Sequence, residues 1–83
     1  MDTEKQRIFE VVKANLLKVM IDLKPEQVTI DQSMTDLGAN SVDRVEVVMY
    51  SMEELGLDIP RAELHGAKNI AGLVEILARH LSK

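Results

Sequence analysis

The stretch Asp36-Leu37-Gly38-Ala39-Asn40-Ser41-Val42-Asp43-Arg44-Val45-Glu46-Val47-Val48-Met49 decides the fold, because loop chemistry changes to helix chemistry inside it. Gly38 lets the backbone turn sharply. Asn40 is a residue type that caps a helix start, Ser41 falls at the first helical position, and Asp43 puts a carboxylate in the first turn, where the helix dipole favours it. Gly56 stands where a glycine ends a helix. The pattern therefore predicts a helix from Asn40 as cap to Gly56 as stop.

At about 100° per residue from Ser41, the apolar side chains of this helix cover roughly 220°, more than one packing face needs. Val47, Val48 and Leu55 form one side, Met52 the middle, and Val42, Val45 and Met49 the other. Two rotations are open. Burying the middle of the arc takes Ser41 inside, as a capping or core serine. Burying the side of Val47, Val48 and Leu55 keeps Ser41 reachable and leaves Val42, Val45 and Met49 beside Glu46 and Glu53, an apolar strip edged with carboxylates that suits a basic-rimmed partner.

Upstream, Thr3-Glu4-Lys5-Gln6 fits a capping box, and Ile8, Val11, Val12, Leu16, Val19 and Leu23 give the inner stripe of a first helix running to about Ile21. Pro25 ends any continuation. The connection from Lys24 to Asn40 is longer than usual, so it carries function or crosses between helices, with Val28, Ile30 and Leu37 available to pin it to the core. Downstream, Pro60 starts a short third helix to about His65. Asn69 caps a fourth, in which Ile70, Leu73, Val74, Leu77 and Leu81 repeat at helical spacing. No stretch alternates long enough for a strand, so the expected class is all-α: a small four-helix bundle of three main helices and a short third, with a long loop between the first two.

With 83 residues the chain has room for one core, and one domain over 1–83 is expected. No apolar run reaches the length of a bilayer span, and the opening residues are too polar for a signal peptide, so a cytosolic protein with no membrane partner is expected. Zero cysteines exclude a disulfide framework, a thiolate metal site and a cysteine nucleophile. A net charge of −4 with one Phe, one Tyr and no Trp argues against a nucleic-acid partner. Residues 36–63 hold seven acids against two bases, while residues 64–83 hold one acid against three bases. The middle third is thus the electrostatically distinctive surface.

The run from Asp36 to Met49, followed by Glu53-Glu54-Leu55 and Asp58-Ile59-Pro60, resembles the acyl carrier proteins over nearly the whole chain. The resemblance implies a monomeric carrier whose Ser41, matching the serine of the family's Asp-Ser or Asn-Ser pair, receives 4′-phosphopantetheine from a phosphopantetheinyl transferase. Many members have Asp where this chain has Asn40, which removes one charge from the surface that the transferase reads. Gly-x-Asn-Ser-Val-Asp-Arg, through Asn40 and Arg44, is similar to the freestanding carriers of polyketide β-branching. This implies an acetyl group delivered to a 3-hydroxy-3-methylglutaryl synthase-like enzyme, with acyl-loading enzymes as further partners. Val42, Asp43, Val45, Glu46, Met49 and Glu53 are the expected partner-binding residues.

The residues suit that role. A serine at a helix start presents its hydroxyl to solvent, where the free N–H groups and the dipole favour a phosphodiester. No His or Lys lies near Ser41 in sequence to activate it, so the chain is read as substrate and carrier, with no catalytic residue of its own. Met20, Met34 and Met52 read as core fillers, and His65 and His80, without a carboxylate cluster, make a poor metal site. Tyr50 is left with two roles, covering the core edge or touching a partner. Competing readings are a carrier for fatty-acid synthesis or aminoacyl transfer, a cofactor-free helical adaptor, and a miniature hydrolase using Ser41 and His80.

Overall fold

The computed structural model describes residues 3–82, and every regular element among them is helical: α1 Thr3–Val19, a 3₁₀ turn Pro25–Gln27, α2 Ser41–Leu55, α3 Arg61–Leu64 and α4 Ile70–Leu81. α1 packs against both α2 and α4, and α3 leans on α4. Ile8, Val12 and Leu16 from α1, Val47 from α2, and Ile70, Val74 and Leu77 from α4 are almost wholly buried where the three long helices meet. Burying each such side chain is worth about 1.5–3 kcal/mol, which explains why three amphipathic stripes of modest length cohere.

Two details of α1 differ from expectation. Thr3 is already helical, so any capping residue lies outside the described residues, and Gln6 does not reach back but donates to Glu10 Oε1 at 3.0 Å. The helix also stops at Val19, before Ile21. Met20 N–H still bonds the Leu16 carbonyl at 2.9 Å, after which Leu23 N–H bonds the Met20 carbonyl at 3.0 Å and closes a turn. That turn brings Leu23 onto the core and leaves Ile21 85% exposed.

The long connection crosses the bundle and is fastened at its middle. Val28 is buried, and Ile30 and Leu37 pack against the core. The carbonyls of Ile30 and Gln32 accept the Ala71 and Ile70 N–H groups at 2.8 and 2.9 Å. A helix leaves its first N–H groups unpaired, and here the loop backbone takes two of them at the start of α4. Asn69 Oδ1 takes a third, Gly72 N–H, at 2.8 Å. The loop therefore serves as part of the α4 cap, and from that anchor it reaches the turn before α2.

α2 takes the second of the two rotations. Its fully buried residues are Val47 and Ser51, while Val42, Val45 and Met49 are open. The buried side centres near Ser51, one residue and so about 100° around the helix from Met52 at the middle of the apolar arc. A buried polar pair accompanies this placement. Asn15 Nδ2 donates to Ser51 Oγ at 3.2 Å and to the Val11 carbonyl at 3.0 Å. Both side chains lose water and find each other, so the pair ties α1 to one rotational setting of α2. The reading that buries the middle of the arc and Ser41 with it is corrected accordingly. No helix among the described residues is long and apolar enough to cross a membrane.

Candidate functional site

The site begins in the loop. Five residues from Met34 to Gly38 form a tight turn in which Gly38 N–H bonds the Thr35 carbonyl at 3.0 Å and Ala39 N–H bonds the Met34 carbonyl at 3.0 Å. Gly38 has φ of +100°, a conformation that side-chain-bearing residues rarely adopt. The turn buries Ala39 and delivers Asn40 as an extended cap.

Asn40 and Asp43 then satisfy each other. Asp43 N–H donates to Asn40 Oδ1 at 2.8 Å, and Asn40 N–H donates to Asp43 Oδ2 at 3.2 Å, the reciprocal arrangement of a capping box. Arg44 N–H closes the first helical bond onto the Asn40 carbonyl at 3.0 Å. The N–H groups of Ser41 and Val42 precede that bond and remain for an acceptor from outside the helix. Ser41 is exposed at the first position of α2, and its hydroxyl makes no hydrogen bond with any described residue. Steric access, two unspent N–H donors and the positive end of a 15-residue helix all suit an anionic phosphodiester at this oxygen.

Around Ser41 the sequence-chosen residues separate into two groups. Val42, Val45 and Met49 form an open apolar strip, exposed at 64%, 38% and 51% respectively, with Glu53 exposed beside it. Glu46 and Asp43 are half-buried, and the Asp43 carboxylate is already engaged in the cap. Tyr50 lies on the α1 side, with Lys18 Nζ 5.4 Å from its ring centre, so it covers the α1–α2 edge through a cation–π contact.

Next to Ser41, and lined in part by Val45 and Met49 of that strip, a half-open cavity of about 500 Å³ separates α2 from α3 and the segment leading into α4. Its floor is apolar, with Val48, Met52, Ile59 and Leu73, and its rim carries Arg44, Arg61, His65 and Lys68. Arg44 Nη1 donates to Thr35 Oγ1, fastening the pre-helix turn to α2. The sequence reading passed over Arg61 and Lys68. The helix pattern offered no signal for them, because a cavity between non-adjacent segments is a property of packing.

The hydrolase arrangement is absent. His80 Nε2 meets Glu63 Oε1 at 2.9 Å, bridging α3 and α4, and Ser41 has no hydrogen-bonded base among the described residues. Without one a serine hydroxyl is a poor nucleophile.

Comparison with known proteins agrees with this geometry. A family model described as the phosphopantetheine attachment site matches residues 14–77. The polyketide biosynthesis acyl-carrier-protein AcpK of Bacillus subtilis (strain 168) is 45% identical over 74 residues, covering 89% of this chain and 90% of that protein. An acyl carrier protein of Clostridium perfringens (strain SM101 / Type A) is 33% identical over 77 residues, covering 92% of this chain and all of that protein. One from Rickettsia bellii (strain RML369-C) is 30% identical over 82 residues, or 98% of this chain and 90% of its own length. No solved structure matches the chain.

Proposed function

We propose, from the premise that this chain belongs to the acyl carrier protein family, a carrier and not a catalyst, that its 4′-phosphopantetheine is attached at Ser41 and that the whole chain acts as one monomeric carrier domain in the cytoplasm. The observation that carries the assignment is an exposed Ser41 hydroxyl without a partner among the described residues, set at the first position of α2 beside two unspent N–H groups. When attached, the group supplies a thiol that bears an acyl chain as a thioester. The family match sets aside the cofactor-free adaptor.

The chain's own residues have three tasks in this reading. Gly38, Asn40 and Asp43 hold the helix start so that Ser41 stands clear of the surface. The N–H groups of Ser41 and Val42 favour the phosphate charge. Val42, Val45 and Met49, with Glu46, Glu53 and Asp43 around them, receive the transferase and the acyl-processing enzymes, which family members serve in turn. Apolar contact of this small extent gives weak docking, and the charges raise the encounter rate, which suits a shuttle that must leave again.

The likeness to a polyketide biosynthesis carrier, together with Asn40 and Arg44, supports a place in polyketide β-branching. The cargo is an acetyl group and the receiving enzyme is 3-hydroxy-3-methylglutaryl synthase-like.

The test is incubation with a broad-specificity phosphopantetheinyl transferase and coenzyme A, followed by intact-mass measurement. One phosphopantetheine should be added to the wild type and none to Ser41→Ala. Modification of that variant would move the attachment site elsewhere. Acetyl transfer to the synthase, measured against a carrier from fatty-acid synthesis, tests the pathway; equal transfer from both would refute the specific β-branching role.

A further inference from the structure

The first turn of α2 has a second hollow, on the flank away from the groove. It lies between the end of α1 and the loop before α2, has a volume of about 410 Å³, and counts Val19, Ile21, Asp22, Leu23, Leu37 and Asp43 among its lining residues. Asp43 stands two residues after Ser41 and so about 200° around the helix axis, which sets the hollow and the groove on opposite sides of one helix start. Two carboxylates line the hollow, and no Lys, Arg or His does. Asp22 is exposed and makes no ion pair or side-chain hydrogen bond among the described residues. Asp43 is half-buried and spends one oxygen, Oδ2, on the Asn40 N–H. Ile21, turned outward where α1 ends, is 85% exposed, the most open large apolar side chain among the described residues.

The chemistry of the hollow selects its occupant. An apolar knob covers Ile21 and Leu37 but strips water from two carboxylates without giving them a partner, which costs free energy. A calcium-like ion takes about six oxygens or more and finds two carboxylates against apolar walls. No group of three or more His, Asp or Glu among the described residues is placed to hold a metal ion. A Lys or Arg side chain suits both parts, because its stem lies along apolar surface while its charged head stays at a polar edge.

The position selects the enzyme. Attachment bonds the Ser41 oxygen to the phosphorus that bears the pantetheine in coenzyme A, breaks the bond from that phosphorus to its bridging oxygen, releases adenosine 3′,5′-bisphosphate, and passes the hydroxyl proton to a base of the transferase. That enzyme must therefore lie directly over the helix start. A protein interface covers about 800 Å² on each partner, whereas a helix is about 10 Å thick, so a footprint centred on Ser41 reaches both flanks. Acyl-processing enzymes meet the thiol at the far end of the arm and have no need to cover the Ser41 oxygen.

We propose that this hollow is a second docking point for the phosphopantetheinyl transferase, one that takes an Arg or Lys of that enzyme with its stem along Ile21 and Leu37 and its cation beside Asp22 and Asp43. It rests on the attachment reading above. Asn40 brings no charge to the helix start, and Asp22 brings one from another segment.

Asp43 holds the cap, so the test leaves it in place. Addition of phosphopantetheine by the cognate transferase and coenzyme A is followed by intact mass over a range of carrier concentrations for wild type, Asp22→Lys and Ile21→Ser, with melting temperatures alongside. KM should rise several-fold in each variant with kcat unchanged, because only uniform binding is lost. The effect of Asp22→Lys should shrink as salt rises, and that of Ile21→Ser should not. Once loaded, both variants should pass their acyl group to the receiving enzyme at the wild-type rate. Where Ile21→Ser lowers the melting temperature, Asp22→Lys decides alone.

A KM equal to wild type, or a loss confined to kcat, would overturn the proposal. Normal loading with slowed acyl transfer gives the hollow to a later enzyme, and amide shifts at residues 19–23 that grow with the concentration of the chain alone give it to a second copy; either result overturns it. If Ser41→Ala is still modified, the attachment reading fails instead. The apo chain is then titrated with the transferase without coenzyme A: amide shifts at residues 19–23 that Asp22→Lys removes support the docking point, and their absence overturns it.

Discussion

Replacing Val47 and Val45 separately by alanine tests the rotation of α2, on which every surface assignment depends. The residues are two apart in one helix and lose the same two methyl groups, so their changes in helix propensity cancel in the comparison, each gaining at most about 0.7 kcal/mol. Burial is what differs. Val47 is 0% exposed and Val45 38% exposed, on the open cavity side. At about 0.8 kcal/mol per buried carbon, Val47→Ala loses roughly 1.6 kcal/mol by transfer, and a further cost for the space left inside the core brings it to about 2 kcal/mol or more. Val45→Ala loses about 1 kcal/mol by the same count and leaves no enclosed void, so the propensity gain brings its cost well under 1 kcal/mol. For a chain of this size a difference of 1–2 kcal/mol separates the melting temperatures by roughly 4–16 °C. Urea denaturation of both variants gives the difference directly, and acyl transfer measured alongside should slow for Val45→Ala. Equal destabilisation, or a larger loss from Val45→Ala with normal transfer, would mean that α2 buries the other side of its apolar arc.

Further outcomes follow from the polar pair and the charged face. Ser51→Ala leaves Asn15 Nδ2 without its partner on α2, and Asn15→Ala strands the Ser51 hydroxyl inside the core, so each single variant should lose about 1–3 kcal/mol in chemical denaturation. Asn15→Leu/Ser51→Ala removes both polar groups and should recover much of that loss; a double variant as unstable as the sum of the singles would refute the pairing. Glu46→Gln/Glu53→Gln should leave stability within about 0.5 kcal/mol and slow association with the cognate enzyme at low salt. The gap should close above about 0.15 M salt, where screening acts over about 8 Å; a double variant that matches wild type at low salt would reduce these carboxylates to a solvated surface.

Much of this protein was written locally. The Asn40 cap, the Asp43 first turn and the Gly56 stop follow from the chemistry of helix ends, which involves residues three or four apart and needs no knowledge of the rest of the chain. The same holds for Asn69 and α4, whose apolar residues allow one buried face. Ser41 stood out through the resemblance of the run around it, while the exposure of its hydroxyl depended on how α2 is rotated. The end of α1 was not local: it stops where Leu23 can return to the core, two residues short of what its pattern allowed. The rotation of α2 was not local either. Its apolar arc is wide enough for two settings, and Asn15, a polar residue within the inner stripe of α1, pairs with Ser51 in only one of them. The cationic rim lies furthest from what sequence could reveal. Arg44, Arg61 and Lys68 belong to three separate segments, and they share one rim only because packing opens a groove between those segments beside Ser41.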